Sequence, residues 1–184
     1  TRHMESKKLV GRLAADMVAD GDQIFVDSGT TCFEMIGSLR SKQGLSVIVN
    51  SIRTAQELYA PSLNVLLLGG QYRPDRLDTV GPMASASLER LRGYRAFFGS
   101  DGIGMDFGPT SIDIDSASLF GQAVSYAKEA VLLVDHLKLD SRALYRLDKW
   151  DKVTTIVTDT RPDDAWTNFF AKEGIKVVFP QDTE

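Results

Sequence analysis

Small polar residues and glycines follow six separate apolar runs of this 184-residue chain. The six groups are Asp27-Ser28-Gly29-Thr30-Thr31, Asn50-Ser51, Gly69-Gly70, Gly99-Ser100-Asp101-Gly102, Asp135-His136 and Thr158-Asp159. Glycines let backbone N–H groups approach an anion closely, and hydroxyl groups add further hydrogen-bond donors. The N-terminus of a following helix adds positive potential. These residue types together suit the binding of a phosphate or a sugar hydroxyl.

The same groups also have a purely structural interpretation. A Gly-Thr-Thr turn could be only a tight connection from strand to helix with an N-cap, and Gly69-Gly70 could simply end a strand. The glycines of residues 99–104 do not match the dinucleotide fingerprint, which needs the spacing G-x-G-x-x-G. We favour ligand binding because several strand ends share the same small polar character.

Alternating strands and helices position these groups. The helical spacing of Leu9, Leu13 and Met17 predicts a helix over residues 5–18. The predicted strands are residues 21–27, 45–50, 64–70, 129–135, 153–159 and 175–180, and residues 94–104 are predicted as a strand running into a glycine-rich turn. The predicted helices between them are residues 31–39, 51–60, 82–91, 116–128 and 163–172. This alternation predicts an α/β fold, a single Rossmann-like domain with a mostly parallel sheet flanked by helices.

Composition and charge exclude several classes of protein. The chain has 21 basic and 25 acidic side chains, a net charge of −4, so we expect no exposed basic face for nucleic acid. The single cysteine, Cys32, permits no internal disulfide and indicates a reducing compartment. No apolar run approaches the roughly 18 residues of a membrane span. We therefore expect a cytoplasmic protein with no membrane partner.

The acidic and histidine residues form no recognisable metal motif. Asp101, Asp106, Asp113 and Asp115 miss the spacing of a calcium loop, which favours solvated turn carboxylates. His136 follows a strand-end aspartate and could contact a ligand, but a zinc site needs more ligands than one histidine. We expect no metal site and no cofactor.

The motifs, taken in order, resemble the C-terminal effector-sensing domain of DeoR-family bacterial transcriptional regulators. The resemblance covers residues 7–180 and rests on seven segments: GDQIFVDSGTT, VIVNSIRTAQEL, VLLLGGQYRPDRLDTVGPMA, RAFFGSDGI, GPTSID, VLLVDHLKLD and TTIVTDT. It implies a fold shared with ribose-5-phosphate isomerase and glucosamine-6-phosphate deaminase. It also implies that a phosphorylated sugar binds this domain and changes the affinity of an N-terminal helix-turn-helix for its operator.

The resemblance implies ligand-binding residues at the strand ends and no catalytic residue. The implied set is Asp27, Ser28, Gly29, Thr30, Thr31, Asn50, Ser51, Gly70, Ser100, Asp101, Gly102, Asp113, Asp115, Asp135 and Lys138. Within this set, Asp113 and Asp115 would face sugar hydroxyls. Lys138, in the family's D-x-x-K pattern, would contact an anion or a neighbouring loop.

The chain departs from the family's pattern at its N-terminus. It opens with TRHMESKKLVGRLAADMV, which resembles the family's linker helix and leaves no room for a helix-turn-helix. We expect residues 1–20 to form that linker helix and residues 21–184 to form the effector (sugar-phosphate) sensor domain. Operator DNA would then be bound only through an N-terminal domain that this chain lacks. The family resemblance also implies a homo-dimer or homo-tetramer.

A second departure lies in the stretch SASLFGQAV, where family members commonly carry a glutamate and then a lysine. Ser118 and Phe120 stand in roughly those places. The missing lysine weakens the expectation of a phosphorylated ligand, and Phe120 suggests a pocket with an apolar wall. Arg73, Arg76 or Lys138 could supply the positive charge instead.

The main alternative is an enzyme of the same fold, a sugar-phosphate isomerase or an amino-sugar deaminase. Such chemistry needs a positioned acid and base. Here Asp101-Gly102 is followed by Ile103-Gly104, where the isomerase pattern has a second acidic residue, and the lysine-bearing motif is not visible. A third interpretation is a scaffold or dimerisation domain whose pocket no longer binds. We predict a non-enzymatic sensor domain of a regulator, a repressor of a carbohydrate-catabolism operon.

Overall fold

The computed structural model describes residues 2–181 and confirms the α/β fold. The α-helices of this range are α1 (Arg2–Ala15), α2 (Thr30–Phe33), α3 (Ile36–Leu39), α4 (Ile52–Glu57), α5 (Pro82–Leu88), α6 (Ile114–Tyr126) and α7 (Asp164–Glu173). The strands are β1 (Gln23–Val26), β2 (Ser46–Val49), β3 (Asn64–Leu67), β4 (Gln71–Arg73), β5 (Asp78–Val80), β6 (Arg95–Gly99), β7 (Gly102–Gly104), β8 (Gly108–Ser111), β9 (Glu129–Leu133), β10 (Tyr145–Arg146), β11 (Thr155–Val157) and β12 (Lys176–Val178). Residue 1 of the predicted linker helix and residues 182–184 of the predicted sensor domain lie outside the described residues.

Seven strands form one parallel sheet in the order β3-β2-β1-β6-β9-β11-β12. From β1 the chain builds outward through β2 and β3, and then returns to place β6 on the other side of β1. The strand order therefore reverses between β1 and β6. In open parallel sheets the crevice at such a reversal, beyond the carboxyl ends of the strands, is where ligands bind.

Alternate residues of the central strands face opposite layers of helices. Phe25 and Phe98 pack in the cluster beneath α5, α6 and α7. Ile24, Val26 and Phe97 pack in the cluster beneath α1, α2 and α3. All five side chains are fully buried. Burial on both faces explains why these strands read as continuous apolar runs in the sequence.

The structure corrects two predicted elements. The predicted helix 31–39 is two short helices, α2 and α3, because the chain turns at residues 34–35; the apolar period continues through the turn and hides it. The strand predicted at the start of residues 94–104 is β6, which ends at Gly99. The glycine-rich turn predicted after it contains β7, which joins β8 and β10 in a separate antiparallel sheet, and β4 and β5 form a hairpin that was not predicted. Across residues 2–181, every helix is too short or too polar to cross a membrane.

Helix α1 packs tightly on the turn between α2 and α3. Its side chains Val10, Ala14 and Ala15 are buried against the sheet. A Cβ atom placed on Gly11 would lie 2.6 Å from the Cβ atom of Glu34 and 2.7 Å from its carbonyl carbon. The backbones of α1 and this turn therefore approach as closely as they do only because residue 11 is glycine.

This contact predicts a large effect for Gly11→Ala. The added methyl group overlaps Glu34, so the backbone must shift, and we expect the free energy of unfolding to fall by about 1–3 kcal/mol. Gly37→Ala is the matched control, because a Cβ atom there meets only Nη2 of Arg40, at 3.7 Å. Alanine is the better helix former, so the control should be neutral or stabilising by up to about 1 kcal/mol. Urea unfolding measures both variants, and equal stabilities would contradict the close packing of α1.

Candidate ligand-binding site

A cavity of about 380 Å³ opens at the reversal point between β1 and β6. Loops that follow β1, β2, β6 and β9 contribute to its wall. The structure brings together nine of the residues that the sequence predicted: Asp27, Ser28, Gly29, Thr30, Thr31, Ser51, Ser100, Asp101 and Lys138. A volume of this size suits a small metabolite.

The buried carboxylate of Asp27 joins the two central loops of the cavity. It accepts hydrogen bonds from the backbone N–H groups of Gly29, at 2.8 Å, and Gly99, at 2.5 Å. Burial raises the pKa of Asp27, and the two backbone hydrogen bonds oppose that rise. Asp27 therefore holds the loop after β1 against the end of β6.

The loop after β1 presents hydrogen-bond donors to the cavity. Gly29 is the N-cap of α2 and has no side chain that could cap the helix. The first N–H groups of any helix have no partner within the helix, and those of α2 follow Gly29 in the cavity wall. The hydroxyl groups of Thr30 and Thr31 stand in the same wall. Oγ1 of Thr30 accepts a hydrogen bond from Nζ of Lys7 at 2.8 Å.

The loop after β6 contributes an unpaired hydroxyl. Oγ of Ser100 is buried and has no hydrogen-bond partner among residues 2–181. Leaving such a group unsatisfied costs about 1–3 kcal/mol, which a ligand atom could recover. The neighbouring Asp101 accepts a hydrogen bond from the backbone N–H of Ile112 at 2.8 Å. This loop therefore offers a donor and a carboxylate next to each other.

Four cationic side chains line the cavity: Lys7, Arg53, Arg76 and Lys138. Arg76 and Lys138 were predicted from the sequence, whereas Lys7 and Arg53 were not. Arg53 lies in the first turn of α4, immediately after a predicted strand end, so its position could have indicated it. Its guanidinium group lies 3.8 Å from the centre of the Phe33 ring. Lys7 gave no signal in the sequence, because only the packing of α1 brings it here.

Arg73, which was predicted from the sequence as a possible source of positive charge, does not line the cavity. Nε and Nη2 of Arg73 bind the carboxylate of Asp78 at 2.8 and 2.9 Å, and Nη1 binds Asp113 at 2.6 Å. The hydrogen bond to Asp78 raises the pKa of Arg73 further above its ordinary value. Its charge is thus balanced by two carboxylates, and Arg73 connects the β4–β5 hairpin to α6.

Asp113 lies in this ion cluster rather than in the cavity wall. Its Oδ2 atom accepts a hydrogen bond from the backbone N–H of Ser116 and so caps α6. Partial burial would raise the pKa of Asp113, but the hydrogen bonds from Ser116 and Arg73 outweigh it and lower the pKa to about 2. A contact between Asp113 and a ligand stays a prediction.

Five more predicted residues lie outside the cavity wall: Asn50, Gly70, Gly102, Asp115 and Asp135. Asn50 is fully buried, and its Nδ2 atom donates to the carbonyl oxygen of Thr79 at 2.9 Å. A Cβ atom on Gly70 would lie 2.7 Å from the carbonyl oxygen of Val80. Both residues therefore hold the β4–β5 hairpin against the sheet.

The other three have different surroundings. A Cβ atom on Gly102 would clash with the carbonyl oxygen of Ser141. Asp115 is exposed in the first turn of α6. Asp135 is buried, and its Oδ1 atom accepts a hydrogen bond from the backbone N–H of Leu137 at 2.9 Å. Ligand contacts by these residues also stay predictions.

Four less polar residues also line the wall: Cys32, Phe33, Phe120 and Leu147. Phe120, which stands where the family commonly has a lysine, packs edge to face on Phe25 with ring centres 6.1 Å apart. Cys32 is buried beside Asp27, and burial, followed by the charge of Asp27, raises the pKa of its thiol well above the ordinary value. The thiol stays protonated, which favours the structural role expected for Cys32.

A parallel α/β sheet with a polar cavity at its reversal point is typical of domains that bind small molecules. The family model described as the DeoR C terminal sensor domain matches residues 2–160. The chain therefore belongs to the family of DeoR C-terminal sensor domains, as the sequence motifs predicted.

Curated relatives match the chain over nearly its whole length. The HTH-type transcriptional repressor CsqR of Escherichia coli (strain K12) is 27% identical over 97% of this chain and 69% of its own length. The HTH-type transcriptional repressor GlcR of Bacillus subtilis (strain 168) is 28% identical, over 98% and 69%. The lactose phosphotransferase system repressor of Staphylococcus aureus (strain MRSA252) is 30% identical, over 89% and 66%.

Solved structures share the fold at low sequence identity. A D-ribose-5-phosphate isomerase in complex with phospho-erythronic acid superposes with a TM-score of 0.55 at 15% identity, covering 74% of this chain and 54% of that one. The eIF2B beta subunit from Chaetomium thermophilum gives 0.59 at 16% identity, covering 92% and 53%. The chain thus spans about half the length of these proteins. The likeness confirms the predicted fold and shows the fold alone.

The lowered pKa of Asp113 predicts how stability depends on pH. Its folded value of about 2 lies below the unfolded value of about 3.9, so Asp113 stabilises the fold above about pH 4 and loses this contribution as the pH falls toward 2. Asp113→Asn should therefore lower the free energy of unfolding by about 1–2 kcal/mol at neutral pH. The difference from wild type should shrink as the pH falls.

Urea unfolding between about pH 7 and about pH 2 measures this dependence. Asp115→Asn is the matched control, because this exposed carboxylate lies two residues away in the same helix turn. It should change the free energy of unfolding by no more than about 0.5 kcal/mol. A difference in the free energy of unfolding between wild type and Asp113→Asn that stays constant across this pH range would contradict the ion cluster.

Proposed function

We propose that this chain is the ligand-sensing domain of a cytoplasmic DeoR-family transcriptional regulator, a repressor of a carbohydrate-catabolism operon. We also propose that a phosphorylated sugar or a related metabolite binds in the cavity at the strand ends. One observation carries the proposal: a single cavity at the reversal point combines helix N–H groups, hydroxyl groups and four cationic side chains. The names of the relatives CsqR, GlcR and the lactose phosphotransferase system repressor support the regulatory role.

The balance of charge in the cavity wall favours an anionic ligand. Its four cations face three carboxylates, those of Asp27, Asp78 and Asp101. The first accepts two backbone hydrogen bonds, and the second binds the guanidinium group of Arg73, which lies outside the wall. Arg76 is itself partly paired, because its Nη1 atom lies 3.8 Å from Oδ2 of Asp113, whereas Lys7, Arg53 and Lys138 have no carboxylate within 4.0 Å among the described residues. They replace the lysine that is missing from α6, which supports a phosphorylated ligand despite that departure.

Hydroxyl groups and a carboxylate supply the contacts for the sugar part of the ligand. Ser28, Ser100, Ser111 and Ser116 line the same cavity as Asp101. A carboxylate accepts hydrogen bonds from sugar hydroxyls, and serine hydroxyls both donate and accept them. The unpaired Oγ atom of Ser100 is the strongest of these candidates, because a ligand oxygen would satisfy it.

The same carboxylates argue against catalysis. General acid–base chemistry needs a group free to take up and release a proton at the substrate. Asp27 is buried and held by two backbone amides, and Asp78 is paired with Arg73, which leaves Asp101 as the one wall carboxylate open to a ligand, whereas isomerase or deaminase chemistry needs both an acid and a base. We therefore propose that the site binds its ligand without turning it over, since a shared fold does not imply a shared activity.

The rest of the regulator is proposed from the family. Residues 1–20 would form the linker helix that leads into the sensor domain, residues 21–184. Operator DNA would be contacted only through an N-terminal helix-turn-helix domain, which is not part of residues 1–184. We propose a homo-dimer or homo-tetramer, because regulators that bind two-fold-related operators are usually oligomers.

A thermal-shift screen tests the ligand class. The panel holds hexose, pentose and alditol phosphates, each beside its unphosphorylated parent. A specific ligand raises the melting temperature with the logarithm of its concentration over its dissociation constant. We expect stabilisation by a phosphate ester and not by its parent. Stabilisation by a parent compound alone would refute the phosphorylated ligand. The apolar side chain of Phe120 in the cavity wall would then be the feature to test.

A double variant tests the location of the site. Thr30→Ala with Thr31→Ala removes two donors from the cavity wall and should weaken binding of the phosphate ester by about a hundredfold or more. Ser38→Ala with Ser87→Ala is the control, because it removes two hydroxyl groups from helices α3 and α5, outside the cavity. Isothermal titration calorimetry measures the affinities, and circular dichroism checks that both variants fold. Unchanged affinity in the threonine variant would rule out this cavity as the site.

A further inference from the structure

Helix α1 has two halves that are held in different ways. Its second half is anchored by the buried residues Val10, Gly11, Ala14 and Ala15. Its first half, before Val10, contains no buried residue and lies over the carboxyl edge of the sheet through polar side chains. The position of the first half therefore depends on a few polar contacts rather than on the core.

The first of these contacts is made by Lys7. Its ammonium group donates a hydrogen bond to Oγ1 of Thr30 at 2.8 Å, between residues 23 positions apart in the chain. Among the described residues of α1, only Lys7 lines the ligand cavity. An ammonium group has three N–H donors, so Thr30 leaves two of them for another acceptor.

The second contact is made by His3. Its Nδ1 atom lies 3.6 Å from Oδ2 of Asp135, which is longer than a hydrogen bond. That carboxylate oxygen is buried and has no hydrogen-bond partner among residues 2–181. The first turn of α1 thus covers a buried carboxylate oxygen without donating a hydrogen bond to it, which is a costly arrangement. This contact alone does not hold the first half of α1 firmly in place.

We propose that Lys7 is a ligand-binding residue supplied by α1, and that an anionic group in the cavity holds the first half of α1 against the edge of the sheet. This rests on the proposed function. An anion beside Thr30 would accept a charge-assisted hydrogen bond from the ammonium group of Lys7 when the first half of α1 lies against the sheet. It would accept none when that half of the helix has moved away. A ligand shifts an equilibrium between two arrangements by its difference in affinity for them. The occupancy of the cavity therefore sets the position of α1, which is the linker helix in the proposed regulator.

The test uses inorganic phosphate as the probe and two measurements. The melting temperature reports whether the cavity binds the anion, and amide hydrogen exchange of residues 3–9 reports the docking of α1. In wild type, phosphate should raise the melting temperature and slow the exchange of these amides. In Lys7→Gln the effect on exchange should be lost, and the dissociation constant of phosphate should rise about tenfold or more.

Two further variants provide controls. Lys8→Gln makes the same change of charge at an exposed neighbour that does not line the cavity, so it should behave as wild type. Lys7→Arg keeps the charge and should retain the slowing of exchange by phosphate. Each variant is compared with wild type by circular dichroism without phosphate, so that a folding defect is recognised.

The outcomes separate this inference from the proposed function. If phosphate stabilises wild type and Lys7→Gln equally and leaves α1 exchange unchanged, the cavity binds anions without α1, and only this inference is overturned. If phosphate changes neither measurement in wild type, the anion site itself is wrong and both proposals are overturned. Loss of the exchange effect in Lys7→Gln but not in Lys8→Gln supports the role of Lys7.

Discussion

The buried carboxylate of Asp27 joins the ends of β1 and β6, where the strand order of the sheet reverses. The chain leads from β1 to β2 on one side of β1, while β6 lies on its other side, so no loop connects the carboxyl end of β1 directly to that of β6. The hydrogen bonds from Gly29 and Gly99 close that gap and fix the loop that carries the threonines. The contacts proposed for Thr30 and Thr31 depend on this loop being held in place, because binding needs donors that are positioned in advance.

A second polar cluster supports the neighbouring side of the site. Arg73 binds Asp78 and Asp113, and so ties the β4–β5 hairpin to the start of α6. Ion pairs buried to this extent contribute little net stability, but removing one partner is costly because it leaves the other charge uncompensated. The cluster therefore fixes the position of two elements. It also keeps Arg73 out of the cavity, so that the positive charge there comes from other residues.

One of those other residues, Lys7, would connect the proposed ligand binding to helix α1. Lys7 reaches the cavity from α1, while the apolar second half of the same helix stays packed on β9 and β11. A helix anchored at one end and held by polar contacts at the other can respond to a ligand without disturbing the core. This arrangement is what a sensor domain needs, since the fold must survive both the free and the bound state.

The sequence by itself determined the α/β fold, the family and the loop after β1, because apolar runs, helical periods and the Gly-Thr-Thr turn are local patterns. It did not predict the β4–β5 hairpin or β7, whose strands have three residues each and no clear alternation. Only the tertiary structure decided that Lys7 reaches the cavity, while Arg73 and Asp113 bind each other across 40 positions of chain. Such pairings depend on the distance between elements in space, and no local period of the sequence encodes that distance.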